Sequence, residues 1–236
     1  MSDMQYDYVE PPVPTLRRWQ RIARDHRGQS LLRMLEYERL AETPVTGRVL
    51  DVGGGRHARY RDLLPPGLAI ESVNIDPQIE PTYVIEPGAP FPVPDATYDT
   101  ALCFNTLEHI YDAAAVLAEI RRVLKPGGRL IVTVPFMFRI HGHPDDYFRA
   151  TPSWWHETFR RLDFARLELQ PLVWGRRSTA AVVPGFRGPV PRLRLHMAMW
   201  FDVLTASLLI KGDRLSGRRG RSICGTSPGW FIIATR

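Results

Sequence analysis

The chain contains 236 residues, 44% of them hydrophobic, and carries a formal net charge of +6 at pH 7. This length and apolar content exclude an intrinsically disordered chain and predict one sizeable core rather than two. The two cysteines, Cys103 and Cys224, exclude a disulfide framework and predict a reducing, cytoplasmic location.

The first part of the chain carries helical signals and then a sheet pattern. Apolar residues at helical spacing predict two helices within residues 15–42, and Pro44 and Gly47 then favour a turn. We interpret residues 1–46 as an N-terminal helical cap. Beyond it, short apolar runs alternate with helical segments, which is typical of a parallel sheet covered by helices. Strands of this sheet are predicted at residues 48–52, 69–75, 82–85, 99–104 and 129–134.

The second part of the chain continues this alternation with longer connections. Its proline, glycine and arginine residues predict a long loop at 175–194. A loop of this length is typical of a functional segment, and we predict an insertion at about 174–212. The regular elements predicted here are a helix at 113–124, a helix at 151–162, a strand at 165–173, a helix at 195–210 and a strand at 230–235.

Three glycines follow the first strand of the predicted sheet, in the sequence VLDVGGG at residues 49–55. Glycine lacks the side chain that would keep a ligand away from the backbone, and ligands bind at the carboxyl ends of strands in open α/β sheets. The next strand ends at Asp76, and an acidic side chain there can accept hydrogen bonds from both hydroxyls of a ribose. The glycine turn and Asp76 together favour a ribose-binding site over a solvated turn.

Three stretches of the sequence resemble the class I S-adenosylmethionine-dependent methyltransferases, especially their common bacterial branch. They are VLDVGGG, FPVPDATYDTALCFNTLEHI and LAEIRRVLKPGGRLIVTVPF, which lie within residues 48–136. The resemblance implies an α/β fold with a Rossmann-like, seven-stranded, mostly parallel sheet, helices on both faces and an antiparallel last strand. It assigns residues 47–236 to the S-adenosylmethionine-binding methyltransferase domain.

The resemblance also implies S-adenosyl-L-methionine as the cofactor and S-adenosyl-L-homocysteine as its product. In this family the glycine turn packs against the methionine part, the acid after the second strand holds the ribose, and residues after the fourth strand flank the sulfonium. Carried over by position, the cofactor-binding residues are Asp51, Gly53, Gly54, Gly55, Asp76, Pro77, Asn105 and Leu107.

A dense polar cluster, HGHPDDYFRATP at residues 141–152, follows the strand predicted at 129–134. Such a cluster beside a cofactor cleft favours catalysis or acceptor binding over a solvated loop. His143 and His141 are candidate general bases, and Asp145 is a candidate to orient an imidazole. The candidate acceptor-binding residues are Asp146, Tyr147 and Arg149.

His109 lies in the LEH triplet, beside the expected position of the transferred methyl group. It is a fourth candidate for a catalytic role, and the alternative is that it caps the helix expected to begin near Asp112. No metal is expected, because the spacing of histidines and carboxylates matches no recognised pattern.

Histidine and aspartate in the polar cluster favour an oxygen acceptor, because an alcohol gains most from a base that removes its proton. The sequence therefore predicts methyl transfer to a hydroxyl of a sugar, glycan or other small molecule, by a monomer or homodimer. One alternative is an inactive cofactor-binding partner or regulatory subunit, since His57 and Pro87 replace a glycine and an aspartate common in the family.

A nucleic-acid methyltransferase is the other alternative, motivated by the arginine content. Nucleic acid is not expected as a partner, because the arginines are scattered and no recognised nucleic-acid module accompanies them. The segment 195–212 is a candidate for peripheral membrane contact, and an ordinary core helix is the alternative interpretation of its apolar residues.

Overall fold

Within residues 4–142, 145–185 and 189–236, which the computed structural model describes, eight strands form one sheet and seven α-helices accompany it. The strands are β1 (Gln5–Tyr8), β2 (Arg48–Val52), β3 (Ala69–Asn74), β4 (Tyr83–Val84), β5 (Tyr98–Phe104), β6 (Leu124–Pro135), β7 (Arg166–Leu172) and β8 (Gly229–Thr235). The helices are α1 (Leu16–Asp25), α2 (Leu31–Ala41), α3 (Ala113–Val123), α4 (Pro152–Arg161), α5 (Arg176–Val182), α6 (Pro191–Leu209) and α7 (Gly217–Cys224).

The order of strands in the sheet is β1-β7-β8-β6-β5-β2-β3-β4, and every pairing is parallel except those of β8 with β6 and β7. The mostly parallel, Rossmann-like sheet with an antiparallel last strand is thereby confirmed. From β2 the chain proceeds outward through β3 and β4, then returns to the other side of β2 as β5. In open α/β sheets, ligands bind outside the carboxyl ends of the strands at such a switch point.

The sheet has one strand more than the seven that the sequence predicts. Residues Gln5–Tyr8 pair in parallel with β7, so the segment before residue 47 contributes a strand as well as α1 and α2. The QYDY sequence of β1 alternates polar and aromatic residues over only four positions, and most of its residues are exposed at the sheet edge. A run of four residues is at the lower limit of the alternating patterns that identify a strand, which is why sequence analysis missed it.

Hydrophobic clusters cover the two faces of the sheet. Along β6, Leu130 and Val132 belong to the cluster that includes residues of α3 and α4, whereas Ile131 belongs to the cluster that includes residues of α2 and α6. Side chains alternate between the faces of a strand, so neighbouring residues of β6 anchor helices on opposite sides. The predicted layer of helices on both faces is confirmed.

Two connections differ from the prediction. The turn after β2 opens onto a 3-10 helix at Arg59–Leu63 instead of an α-helix. The loop predicted at 175–194 contains α5, because the Asp202 carboxylate on α6 accepts hydrogen bonds from the backbone amides of Arg177 (3.2 Å) and Ser178 (2.8 Å). These amides lie in the first turn of α5, where they have no partner within the helix. The Asp202 side chain, distant in sequence, therefore stabilises helix α5, which the local sequence does not predict.

Helix α6 is half buried and half exposed. Leu195 and Met199 are buried, whereas Met197 is 52% exposed and Trp200 is 43% exposed. In the described part of the chain, no helix has both the length and the apolar character needed to cross a membrane.

Candidate cofactor and acceptor site

The glycine turn after β2 is tied to the end of β3. Gly53 adopts a φ of 83°, a left-handed conformation that favours glycine. Its amide donates to the Val73 carbonyl at 2.9 Å, and its own carbonyl accepts a hydrogen bond from the Asn74 side chain at 2.6 Å. The turn and the strand end are therefore held in one fixed arrangement at the switch point of the sheet.

The protein itself fills the space around the glycines. A side chain on Gly53 would collide with Thr106, one on Gly54 with the Asp51 carboxylate, and one on Gly55 with the Ile79 backbone. The turn therefore packs against Asp51 of β2 and against the segments that follow β3 and β5. His57, which replaces the family glycine, is exposed and lies 4.0 Å from Glu80, so its side chain occupies the surface.

Asp76 follows β3 and caps the 3-10 helix Pro77–Ile79. Its Oδ1 accepts a hydrogen bond from the Gln78 amide at 2.9 Å, while its Oδ2 makes no hydrogen bond within the described residues. The side chain is partly exposed beside the glycine turn. One carboxylate oxygen is fixed by the backbone and the other is available, an arrangement that fits a ribose hydroxyl as donor.

Asp51 is fully buried beneath the turn. Tyr60 donates its hydroxyl to this carboxylate, at 2.7 Å from Oδ1 and 2.8 Å from Oδ2, and Arg61 lies 3.4 Å from Oδ2. Burial raises the pKa of Asp51 to about 6, against the opposing effects of Tyr60 and Arg61. The Asp51 carboxylate packs against Gly54 and so supports the turn. Its contact with the cofactor stays a prediction.

The raised pKa of Asp51 predicts a loss of stability as the pH rises. The folded protein binds the Asp51 proton more tightly than the unfolded chain, so this contribution is complete below the unfolded pKa, near 4, and disappears as the pH passes about 6. Between pH 4 and pH 7 we expect the wild type to lose ~2 kcal/mol more unfolding free energy than Asp51→Asn. Urea unfolding at each pH measures this difference. Parallel pH profiles for the two proteins would contradict it.

Asn105 follows β5 with a φ of 49° and is fixed by a buried carboxylate of α2. Its side-chain amide donates to Glu36 Oε2 at 2.7 Å and to Thr133 Oγ1 at 3.1 Å. The Thr133 hydroxyl also donates to Glu36 at 3.1 Å, and Arg33 pairs with Glu36 at 3.0 Å. Glu36 thus connects the N-terminal helices to the ends of β5 and β6. Leu107, two residues after Asn105, is completely buried.

The polar residues at 141–152 follow β6 in a loop, here called the polar loop. An ion pair between Asp146 and Arg149 organises its described part. Arg149 Nη2 donates to Asp146 Oδ2 at 2.6 Å, and this guanidinium lowers the pKa of Asp146 to about 2. The same carboxylate accepts a hydrogen bond from the His141 amide at 2.8 Å. Asp146 and Arg149 therefore engage each other and position His141, and their predicted contacts with an acceptor stay untested.

His141 and His109 meet at the end of β5, with ring centroids 5.0 Å apart. The Nε2 atoms of His109 and His141 lie 3.7 Å and 3.9 Å from Glu108 Oε1. Glu108 is buried, and neither carboxylate oxygen accepts a hydrogen bond of normal geometry from the described residues. Burial raises the pKa of Glu108 to about 7. Two predicted catalytic residues thus surround a carboxylate that sequence analysis did not single out.

Other candidate residues lie around this cluster. The Asp145 carbonyl contacts His109 Nδ1 at 2.5 Å, and the exposed Asp145 carboxylate accepts a hydrogen bond from the Tyr147 hydroxyl at 3.1 Å. The capping role considered for His109 is wrong, because Asp112 itself caps α3 by accepting a hydrogen bond from the Ala115 amide. His143 lies outside the described residues.

Sequence analysis missed Glu36, Glu108 and Tyr60. Glu36 lies on a helix with apolar neighbours, and a charged residue on its buried face was the available signal. Glu108 is the central residue of the LEH triplet, and its place between Leu107 and His109 was the available signal. Tyr60 gave no signal, because its pairing with Asp51 depends on how the 3-10 helix folds back under β2.

Comparison with known proteins gives the same family. A demethylmenaquinone methyltransferase of Tropheryma whipplei is 32% identical over 96 residues, which are 36% of this chain and 40% of that protein. The chain therefore aligns with less than half the length of this curated relative.

Two solved structures share the fold. An S-adenosylmethionine-dependent methyltransferase from Archaeoglobus fulgidus has a TM-score of 0.55 at 14% identity, covering 92% of this chain and 99% of that one. A second, from Thermotoga maritima, has a TM-score of 0.51 at 17% identity, covering 93% and 98% of the two chains. The family model described as "Methyltransferase domain" matches residues 23–169. The chain belongs to this methyltransferase family, whose methyl donor is S-adenosylmethionine.

Proposed function

We propose that this chain transfers the S-adenosylmethionine methyl group to a hydroxyl of a sugar, glycan or other small molecule. The observation that carries the proposal is the meeting of Glu108, His109 and His141 at the end of β5. This end adjoins the glycine turn, since Thr106 packs on Gly53. A hydroxyl needs a proton acceptor or an electrostatic partner near the reacting oxygen, and the cluster supplies such groups.

The bound cofactor supplies an electrophilic methyl group. The protein holds the cofactor and the acceptor in position and removes the proton of the acceptor hydroxyl. In this proposal the glycine turn and Asp76 hold the methionine and ribose parts. Asn105, fixed by Glu36 and Thr133, shapes the backbone beside the reacting centre. His141 or His109 accepts the proton of the acceptor hydroxyl, and the polar loop around Tyr147 and Arg149 contacts the rest of the acceptor.

A transfer assay with isotopically labelled S-adenosylmethionine tests the class of acceptor. Pools of sugars and phenols would be compared with pools of amines and thiols, and the methylated atom would be identified by mass spectrometry and NMR. We expect transfer to oxygen. Transfer confined to nitrogen or sulfur would contradict the proposed acceptor. Cofactor binding without transfer to any pool would favour the alternative of an inactive partner or regulatory subunit.

Helix α6 favours the inclusion of apolar acceptors in the same assay. Met197, Trp200, Phe201 and Leu204 are each more than 40% exposed, and this helix precedes the basic segment 211–221. The Tropheryma whipplei relative is named for a demethylmenaquinone substrate. We propose peripheral membrane contact through 195–212 as the way an apolar acceptor would reach this enzyme. A cytoplasmic location is part of the proposal and agrees with two free, buried cysteines.

A further inference from the structure

The buried carboxylate of Glu108 lacks the hydrogen-bond partners that such a group normally has. Its side chain is 1% exposed, and both oxygens lack a hydrogen-bond partner in the part of the chain that the structure describes. Leaving a buried polar group without a partner is costly, and buried carboxyl groups are normally hydrogen-bonded, paired with a charge or bound to a metal. Neither nearby guanidinium completes Glu108, because Arg149 pairs with Asp146 and Arg33 pairs with Glu36.

The two imidazoles that face Glu108 are oriented in the same way. His109 Nδ1 lies 2.5 Å from the Asp145 carbonyl, which can only accept a hydrogen bond. His141 Nδ1 lies 3.3 Å from the Arg139 carbonyl and 3.3 Å from the Asp146 carboxylate. Oxygen acceptors at Nδ1 place the proton there and leave the lone pair on Nε2. In both residues Nε2 is the atom that points to Glu108.

A ring N–H bound to a carbonyl or carboxylate, with the other nitrogen free, is the usual arrangement of a metal-binding histidine. Arg149 Nη2 is 3.5 Å from His141 Nδ1, but this guanidinium is directed to Asp146 Oδ2 at 2.6 Å. The contact with Asp146 is much shorter than the contact with His141, so Arg149 does not compete for hydrogen bonding at His141 Nδ1. The orientation of both rings therefore points to a ligand between them and Glu108.

We propose that Glu108, His109 and His141 bind a divalent transition-metal ion, with Zn²⁺ as the first probe. Their three ligand atoms lie within 4.8 Å of one another, and the Nε2–Oε1 separations are 3.7 Å and 3.9 Å. Tetrahedral coordination with bonds of about 2.1 Å needs separations of about 3.4 Å, a contraction that small side-chain rotations provide. Two histidines and one carboxylate form an open site that keeps positions for water or substrate.

The sequence alone did not indicate this site, since Glu108 and His141 are separated by 33 positions (141 − 108) and match no linear metal motif. The folded loop after β6 brings them together through the hydrogen bond from the Tyr147 amide to the Glu108 carbonyl at 2.8 Å. The role of the ion rests on the proposed function and replaces the histidines as proton acceptors, because both Nε2 lone pairs would be bound to the metal. The ion would bind the acceptor oxygen and lower the pKa of its hydroxyl, whose proton would pass to solvent water.

Metal binding is tested on the tag-free, chelator-treated full chain, without cofactor or acceptor, so that its outcome is independent of the proposed reaction. Titration calorimetry with Zn²⁺ and visible spectroscopy with Co²⁺ should show one saturable site. Glu108→Gln and His141→Ala should each weaken the affinity by at least about 10–100-fold. His156→Ala is the matched control, since its ring contacts Tyr6 rather than the cluster.

Circular dichroism and thermal melting would verify that each variant is folded. Glu108→Gln keeps the side-chain volume, and His141 lies on a partly exposed loop, so at least one variant should remain native. Zn²⁺ should also raise the melting temperature of the wild type and not that of Glu108→Gln. The proposal is overturned if the wild type shows no saturable site, or if both cluster variants bind the probe ions as tightly as His156→Ala.

Discussion

Glu36→Ala is expected to lower the free energy of unfolding by ~3–5 kcal/mol, the range for removal of one partner from a buried charged network. The side chain is fully buried, and its carboxylate accepts hydrogen bonds from Arg33, Asn105 and Thr133. Truncation leaves the fully buried Thr133 hydroxyl without its acceptor and removes one acceptor each from Arg33 and Asn105. Urea unfolding at pH 7 measures the loss.

The same substitution should also weaken cofactor binding. Glu36 holds Asn105 in a left-handed conformation that asparagine tolerates but does not prefer strongly. Without this carboxylate the segment that begins at Asn105 loses one of its two side-chain anchors. Calorimetry with S-adenosylhomocysteine should therefore show reduced affinity in the folded variant.

Glu42→Ala is the control for Glu36, because it removes an exposed glutamate immediately after the same helix. It should change the unfolding free energy by less than about 0.5 kcal/mol, as is usual for surface substitutions. Equal stability of the Glu36 and Glu42 variants would contradict the account of Glu36 as the connection between α2 and the sheet.

Much of the fold could be predicted because each strand of the parallel sheet carries its own apolar run. The strands at 48–52 and 69–74, and the helix at 113–123, coincide with predicted elements to within one or two residues. By contrast, β1 and α5 depend on distant partners: β1 on pairing with β7, and α5 on the Asp202 carboxylate of α6. Contacts between residues far apart in sequence leave no local pattern, so these elements could not be predicted.

The residues of the candidate site also fall into those that the sequence could predict and those that it could not. Asp76 and the glycines were predictable because their positions follow from where strands end in an open α/β sheet. The environment of His141 was not, since its neighbours Glu108 and His109 come from a different loop. Likewise, the sequence suggested that Asp146 contacts an acceptor, whereas its carboxylate is engaged by Arg149 and by the His141 backbone. Whether the pair also contacts the acceptor is a prediction that stands.

Asp76→Ala is expected to weaken S-adenosylhomocysteine binding by roughly 100-fold or more. Two hydrogen bonds from ribose hydroxyls to a charged carboxylate contribute about 1.5–3 kcal/mol each, and about 2.7 kcal/mol corresponds to 100-fold in affinity. The side chain is partly exposed, and its structural contact is a single capping hydrogen bond that it accepts from the Gln78 amide. The variant should therefore fold, and its defect should be confined to ligand binding.

Isothermal titration calorimetry of this variant with S-adenosylhomocysteine tests the central claim, that the glycine turn after β2 and the acid after β3 bind one adenosyl ligand. Glu80→Ala is the matched control, since it removes a nearby exposed carboxylate paired with Arg56. We predict that affinity falls for Asp76→Ala and stays at the wild-type value for Glu80→Ala. An Asp76→Ala protein that is folded and binds the ligand as tightly as the control would contradict the claim.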